Sequence, residues 1–204
     1  MGVNRVLHWV GSPPSIVFLI WRYIMPVNMK LKYYRMNGGV QEPHLATDGA
    51  ACFDIHAHLK KGDSVTVYEM DNTKSTIKTE GYKEKERQED VRIRIRPGDR
   101  VLVPTGLILD IPEGHSVRLH TRSSISLKKG LIMPNGEGII DSDYYHQTFV
   151  MLYNASADEV LIENGERIAQ GELVKTYSYS IEETKDVPEQ KTDRVGGFGS
   201  TGVK

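Results

Sequence analysis

The stretch Val91-Arg92-Ile93-Arg94-Ile95-Arg96 alternates strictly between apolar and basic side chains. A period of two is typical of a β-strand with one buried face, because successive side chains of a strand point to opposite sides. The next residues, Pro97-Gly98-Asp99, predict a turn, and the apolar run at residues 101–103 predicts that a second strand follows.

The same pattern of short strands extends along the chain. Further strands are predicted at residues 107–111, 117–120, 149–153, 160–162 and 168–174. Segments rich in Gly, Pro and Asn separate them, and no long segment has a helical period. The sequence therefore predicts an all-β fold, either a barrel or a jelly-roll-like sandwich.

Composition limits the classes of function. The chain has 204 residues, of which 39% are hydrophobic and 26% charged, and this fits one globular domain with an appendage. A net charge of −1 gives no overall basic field, so we expect no nucleic-acid partner. Cys52 is the only cysteine, which favours a reducing compartment. His56 and His58 would share a strand face, but two exposed polar residues are a better interpretation than a metal pair.

The first 28 residues differ from the rest of the chain. Their apolar run at residues 16–21 is much shorter than the roughly 20 residues that a membrane-spanning helix needs. No small-residue cleavage site of a signal peptide follows it, and Met29 begins a stretch typical of a natural start. We expect residues 1–28 to be a non-native or disordered extension, with a short membrane-surface segment as the alternative, and we expect no membrane partner.

Two further segments are strongly polar. Residues 62–90 form an insertion in which residues 65–68 and 76–78 could make a hairpin arm, while the charge run at residues 83–90 indicates a solvated face. Residues 182–204 are charged and end in a glycine-rich stretch. That tail is either disordered or a flexible lid that orders over a ligand.

The stretch Gly138-Ile139-Ile140-Asp141-Ser142-Asp143-Tyr144 carries two carboxylates two residues apart. In an extended chain Asp141 and Asp143 face the same way, with Tyr144 opposite. One carboxylate could then act as a general base, and the tyrosine could pack against a flat ligand surface.

Three other segments suit a phosphate chain. Arg122-Ser123-Ser124 follows a predicted strand end and offers a guanidinium, two hydroxyls and backbone N–H groups. Residues 165–170 set a turn before a strand and place the Gln170 amide within an apolar run. Arg194 and the glycines after it offer a cation and a backbone that can close over a ligand.

In their order along the chain these segments resemble the five motifs of the homotrimeric dUTPase family. The matching segments are residues 51–55, 122–124, 138–144, 165–170 and 194–202, with a further family-like stretch at residues 103–107. The resemblance implies a jelly-roll-like dUTPase β-barrel that hydrolyses dUTP to dUMP and pyrophosphate. That activity keeps uracil out of DNA and supplies dUMP for thymidylate synthesis, in the cytoplasm of a bacterium or of a virus-infected host cell.

The resemblance also implies a role for each matching position. Asp141 would deprotonate the water that attacks the α-phosphorus, and Tyr144 would pack on the deoxyribose and leave no room for a 2′-hydroxyl. Asn135 would lie where the family reads uracil, largely through backbone groups, and Gly138 and Ile140 would also bind the substrate. The phosphates would be bound by Arg122, Ser123, Ser124 and Gln170. Asp54 would hold Mg²⁺ through water, and the lid would use Arg194, Phe198, Gly199 and Ser200.

The family is homotrimeric with shared active sites, and the resemblance implies the same for this chain. The phosphate-binding residues would come from one subunit, residues 135–144 from a second, and residues 194–202 from a third.

Two alternatives stay open. A dCTP deaminase has a related fold, but that family needs a glutamate where this chain has Met151 and an arginine where it has Leu127. A regulatory protein that senses dUTP could keep the same fold and use the insertion to contact a partner.

Overall fold

A computed structural model describes residues 29–83, 90–193 and 196 of the chain. Within these residues the chain forms fifteen β-strands and one α-helix. In chain order the elements are β1 (Lys32–Arg35), β2 (His44–Leu45), β3 (Phe53–His56), β4 (Ser64–Tyr68), β5 (Lys74–Lys78), β6 (Glu80–Tyr82), β7 (Asp90–Ile95), β8 (Arg100–Pro104), β9 (Leu107–Asp110), β10 (His115–Thr121), α1 (Ser123–Lys129), β11 (Leu131–Ile132), β12 (Gly138–Ile140), β13 (Phe149–Asn154), β14 (Val160–Glu163) and β15 (Arg167–Lys175). The expected extension at residues 1–28 lies outside the described residues.

All the strands predicted from alternating patterns are present. In β7 the side chains of Ile93 and Ile95 are buried while Arg94 between them is exposed. The turn at residues 97–99 then leads into β8, as the sequence predicts.

Two five-stranded antiparallel sheets form the body of the protein. Their strand orders are β12-β10-β15-β3-β2 and β11-β13-β8-β4-β5. Buried side chains of both sheets, such as Ile55 and Val117 of the first and Val101 and Leu152 of the second, belong to one apolar cluster. The predicted jelly-roll-like, all-β architecture is therefore confirmed, with the core between the sheets.

The insertion forms the predicted hairpin, but its first strand belongs to a sheet. β4 pairs with β5 on one edge and with β8 on the other. Val65 and Val67 are only 3% and 2% exposed and lie in the core. The insertion is therefore polar only in part, because alternate residues of β4 bury an apolar face. Residues 84–89, the centre of the charge run, lie outside the described residues.

Helix α1 was not predicted from the sequence. Ile125 is its one buried residue, so the segment has no apolar stripe that a helical period would reveal. Gly130 ends the helix with a φ of 64°, a left-handed conformation that glycine adopts without a steric cost. At the same end Lys129 Nζ donates to the carbonyl oxygen of Leu161 at 2.7 Å and lies 2.5 Å from Glu166 Oε1, which ties the helix to β14 and the turn after it.

After β15 the described chain, up to residue 193, forms neither strand nor helix. Tyr177, Tyr179 and Ile181 are 81%, 78% and 89% exposed, so they add nothing to the core of a single chain. Among the described residues, no helix is both long enough and apolar enough to cross a membrane.

The loop after β1 holds a histidine in its neutral form. Asn37 Oδ1 accepts from the Gly39 backbone N–H at 3.1 Å, and this turns Asn37 Nδ2 toward His58 Nε2, also at 3.1 Å. Because an amide nitrogen only donates, Nε2 has to be the unprotonated acceptor. Burial lowers the pKa of His58, and the nearby Lys60 lowers it further while Asp63 opposes the shift.

We predict that acidification destabilises the fold partly through His58. Its pKa in the folded state lies below the unfolded value of about 6.5, so the unfolded chain binds more protons in that window. The free energy of unfolding should therefore fall as the pH drops through that range. In urea titrations between about pH 7.5 and 5.5, His58→Gln should show a smaller loss than the unchanged protein. His146→Gln, at an exposed position, is the control, and identical pH slopes in all three proteins would remove His58 from this effect.

Candidate nucleotide-binding site

A buried carboxylate holds two arginines beside the end of β10. Asp54, in β3, is 6% exposed, and its Oδ1 lies 2.9 Å from Arg122 Nε. Arg167 Nη1 donates to the other oxygen, Oδ2, at 3.1 Å. We call Asp54, Arg122 and Arg167 the arginine cluster. Its net charge is positive, and the guanidinium of Arg167 is about half exposed, so the cluster presents cationic donors to an oxyanion.

The strand register brings Gln170 to the arginine cluster. In β15 Gln170 lies opposite Asp54 on one side and opposite His120 on the other. Directly opposed residues of antiparallel strands share a face, so the three side chains point the same way. The predicted phosphate-binding residues Arg122 and Gln170 are thus placed together, next to the predicted metal-binding Asp54.

Ser123 and Ser124 are the first residues of α1, immediately after Arg122. Arg122 Nη1 lies 3.4 Å from Ser124 Oγ, and Ser123 is exposed. The structure therefore places the Ser124 hydroxyl beside the arginine cluster. The backbone N–H groups of both serines lie in the first turn of α1, where no carbonyl of the same helix accepts from them.

The turn at residues 133–137, which we call the Asn135 turn, leads into β12. The Gly136 N–H donates to Met133 O at 3.0 Å, and the Glu137 N–H donates to Asn135 O at 2.8 Å. Gly138 follows at the start of β12, where an added Cβ would lie 3.1 Å from both Leu119 Cβ and Met133 Cε. This close approach explains why glycine suits position 138.

Four of the predicted site residues line one cavity of about 180 Å³, which we call the Tyr144 cavity: Asn135, Gly138, Ile140 and Tyr144. The cavity lies between β12 and the start of β13, and Thr148, Phe149 and Met151 complete this side of it. The Tyr144 hydroxyl donates to Gln147 O at 3.1 Å, which fixes the ring at the edge of the cavity.

Asp141 follows β12 directly and is exposed. Its backbone carbonyl accepts from the Tyr144 N–H at 3.1 Å, so a turn joins the two residues. Within the described part of the chain no hydrogen bond or ion pair holds the Asp141 carboxylate. A carboxylate with free lone pairs can accept a proton from water, as the predicted role requires.

The two groups of residues do not meet within one chain. The arginine cluster lies toward β15 and β3, whereas the Tyr144 cavity lies at β12, across β10 in the strand order. None of Asp54, Arg122 and Gln170 lines the Tyr144 cavity. A larger opening of about 530 Å³ lies between the hairpin and the loop after β1, but none of the predicted site residues lines it. We assign the site to the arginine cluster and the Tyr144 cavity and not to the larger opening, because a nucleotide needs cationic donors for its phosphates and a slot for its base.

Sequence reasoning missed Arg167 as a member of the arginine cluster. It lies within the segment 165–170, but only the pairing of β15 with β3 shows that its guanidinium reaches Asp54. Arg194, Phe198, Gly199 and Ser200, the predicted lid residues, lie outside the described residues.

The side chains around Asp54 fit a magnesium ion only indirectly. Among residues 29–83 and 90–193 no three His, Cys, Asp or Glu side chains are grouped so that they could hold a metal. Magnesium keeps several waters and takes substrate phosphates as ligands, so one carboxylate acting through water is enough. Each oxygen of Asp54 already accepts from one arginine and has a second lone pair for such a water.

The histidines next to Asp54 do not add a metal ligand set. His44 and His56 stack with ring centroids 5.8 Å apart. Burial lowers the pKa of His56, while the nearby Asp54 opposes this shift. His56 and His58 are both half-buried, so the expectation that they are exposed is wrong, because each lies between buried residues of the same extended segment.

Together, an antiparallel jelly-roll-like sandwich, a cationic cluster for oxyanions and a slot for a flat ring define a nucleotide-binding protein. Residues 87–202 match the sequence model of the dUTPase family. The chain is 32% identical over 182 residues to the deoxyuridine 5′-triphosphate nucleotidohydrolase of Caulobacter vibrioides, covering 88% of this chain and 98% of that protein. It is 46% identical over 111 residues to the protein of the same name from Hydrogenobaculum, covering 54% of this chain and 76% of that protein.

Solved structures agree with the fold. A mutant of the Staphylococcus bacteriophage 80alpha dUTPase with dUpNHpp has a TM-score of 0.62 at 18% identity, covering 85% of this chain and 99% of that one. The dUTPase of Streptococcus mutans has a TM-score of 0.54 at 25% identity, covering 74% and 99%. The chain belongs to the dUTPase family.

We predict that Asp54 stabilises the fold by neutralising the two arginines. Asp54→Ala would leave two guanidinium groups facing each other without the carboxylate between them. The free energy of unfolding should fall by about 2–3 kcal/mol, less than for a fully buried pair because Arg167 is half exposed. Chemical denaturation measures this change. Glu159→Ala, which breaks an exposed ion pair with Arg94, should cost clearly less stability because water screens that pair. Equal losses in the two variants would contradict the prediction.

Proposed function

We propose that the chain hydrolyses dUTP to dUMP and pyrophosphate. The observation that carries this proposal is the Tyr144 cavity, which brings Asn135, Gly138, Ile140 and Tyr144 together beside Asp141 in a member of the dUTPase family. The Caulobacter and Hydrogenobaculum relatives are named for the hydrolysis of deoxyuridine 5′-triphosphate.

In this proposal the Tyr144 cavity receives the nucleoside. Asn135 and the backbone of β12 hydrogen-bond the edge of uracil, and Gly138 lets the backbone approach closely. The Tyr144 ring packs on the deoxyribose, where a 2′-hydroxyl would collide with it. Ile140 lines the same cavity and is only 7% exposed, which is consistent with an apolar wall. A site whose polar groups pair with one base discriminates against a base that would leave those groups unpaired.

The chemistry rests on Asp141. Its carboxylate orients a water molecule and accepts its proton as the water oxygen attacks the α-phosphorus, and pyrophosphate leaves on the opposite side. Catalysis of this kind is mostly positioning and charge stabilisation. Arg122, Ser123, Ser124 and Gln170 hold the phosphate oxygens, and the tail with Arg194, Phe198, Gly199 and Ser200 covers the base and excludes water.

Magnesium fits as the cofactor. Bound to the triphosphate, Mg²⁺ would neutralise charge on the phosphates, and Asp54 would hold it through water. A dUTPase of phage phi11 of S. aureus, with a TM-score of 0.55 at 15% identity, coordinates a structural Mg(II) ion. In this chain Asp54 also keeps Arg122 and Arg167 in place for the same phosphates.

The Tyr144 cavity argues against a dCTP deaminase. Met151, which stands where that family needs a glutamate, lines the cavity, and no carboxylate among the described residues does. Deamination requires a carboxylate at the base to transfer protons, so this alternative lacks its catalytic group.

We also propose a homotrimer with shared active sites. Its support is the separation of the arginine cluster from the Tyr144 cavity within one chain. The described tail leaves Tyr177, Tyr179 and Ile181 exposed, and Ile139 beside the cavity is 57% exposed. Closed threefold symmetry would let one subunit supply the phosphate side, a second the base side and a third the tail.

The catalytic role of Asp141 predicts the result of one substitution. Asp141→Asn keeps the shape of the side chain but removes the base, so turnover of dUTP should fall by about 10²-fold or more. Binding of a non-hydrolysable dUTP analogue should persist, because the amide still fits. The measurements are release of dUMP and pyrophosphate and a titration with the analogue. Near-normal turnover in the variant would show that another group activates the water.

Shared sites predict complementation between two inactive chains. One chain carries Asp141→Asn, and the other is truncated before Arg194. Mixed trimers refolded from unfolded chains should recover part of the activity, because some sites then combine an intact Asp141 with an intact tail. Light scattering reports the mass of the assembly. A fully active monomer, or mixed trimers without recovered activity, would contradict the shared-site arrangement.

A further inference from the structure

Four charged or ionisable side chains form a network on the outer face of β10, beside the arginine cluster but with no residue in common with it. Arg118 Nη1 donates to Glu137 Oε2 at 2.9 Å. The His120 ring lies between two carboxylates, with Nδ1 3.8 Å from Glu137 Oε1 and Nε2 3.6 Å from Glu172 Oε2. We call Arg118, His120, Glu137 and Glu172 the β10 network. None of these residues was singled out from the sequence.

The β10 network reaches the Asn135 turn through Glu137. Glu137 is the last residue of that turn, two positions after Asn135 and directly before Gly138. Between the two ends of the turn, Pro134, Asn135 and Gly136 are all exposed, so packing does not hold them. Their position depends on how the ends of the turn are anchored.

Both ends of the Asn135 turn are anchored to β10. At the start, the Met133 N–H donates to Thr121 Oγ1 at 3.1 Å. At the end, Arg118 holds Glu137. Thr121 and Arg118 lie in the same strand, whose register is fixed on both edges. The turn is therefore held between two points of one rigid element.

Arg118 is well placed to act as an anchor. Its side chain is 26% exposed and the Glu137 side chain 40%, so water screens their ion pair only partly. Arg118 Nε is buried and has no hydrogen-bond partner among the described residues. A desolvated donor without a partner costs stability, so Arg118 is not explained as a purely stabilising residue.

We propose that Arg118 is a positioning residue for base recognition: by holding Glu137 it fixes the Asn135 turn against β10. This inference rests on the proposed function, because it assumes that Asn135 reads the base. Without Arg118 the Glu137 side chain loses its hydrogen bond to β10, and that end of the turn is held only by the pairing of Gly138 with Leu119. Asn135 then samples positions in which its hydrogen bonds to uracil are lost.

The test compares the specificity for two bases. Arg118→Met keeps the length of the side chain and removes the charge. The ratio of kcat/KM for dUTP to kcat/KM for dCTP should fall about three- to tenfold, mainly through a higher KM for dUTP. Arg118→Lys, which restores a cation near Glu137, should recover part of the ratio. Urea unfolding of Arg118→Met should show little loss of stability, because the unpaired Nε is removed together with the ion pair.

Arg94→Met is the matched control. Arg94 Nη1 also donates to a glutamate at 3.1 Å, that of Glu159, but this pair lies on β7 away from the Tyr144 cavity. The control should keep the dUTP to dCTP ratio. If Arg118→Met does not fold, Glu137→Ala removes the same ion pair by changing its more exposed partner. This variant should lower the dUTP to dCTP ratio equally.

An unchanged ratio in Arg118→Met, or equal losses for both nucleotides, would overturn the positioning role and leave Arg118 as a structural residue. Failure of the proposed function has a different signature. In that case the unchanged protein itself would not convert dUTP to dUMP and pyrophosphate, whatever residue stands at position 118.

Discussion

The pairing of β10 with β15 is the constraint on which the rest of the structure depends. The two strands pair without a break from His115↔Lys175 to Thr121↔Ala169, and β12 pairs with the other edge of β10. Val117 and Leu119 point into the core, so a slip by one residue would expose them and bury the charged side chains between them. This register places His120 opposite Gln170, and the strand ends at Thr121, just before Arg122.

Charge is concentrated on the outward side of this sheet, at a cost in stability. Asp54 is nearly buried between Arg122 and Arg167, and burying an ion pair contributes little net stability compared with apolar packing. The benefit of this carboxylate is that it fixes the positions of the two arginines. A bound polyanion can then neutralise the positive charge that one carboxylate leaves on them. Apolar residues at these positions would stabilise the fold at least as well, so the charged residues are explained by the site that they prepare.

The sequence predicts which residues form strands better than it predicts which strands pair with each other. Alternation at Ile93 and Ile95 gives the buried face of β7 directly. Alternation at Val65 and Val67 gives a buried face too, but not the partner β8, which lies about 30 residues further along the chain. Helix α1 was not predicted, because a single buried residue, Ile125, gives no helical period in the sequence. The site residues followed from motifs, whereas Arg167 and Arg118 required the register, since an ion pair across strands depends on which residues are opposed.

The same strand serves both halves of the site, and this has a consequence for a shared-site assembly. Toward β15, β10 presents His120 beside Gln170, next to the arginine cluster. Toward β12, it anchors the Asn135 turn through Arg118 and Thr121. In a trimer with shared sites these two sides belong to different active sites, so every β10 would be common to two of them. Backbone pairing on both edges makes β10 rigid. This strand would then fix the position of the base-binding residues of one active site relative to the phosphate-binding residues of the next.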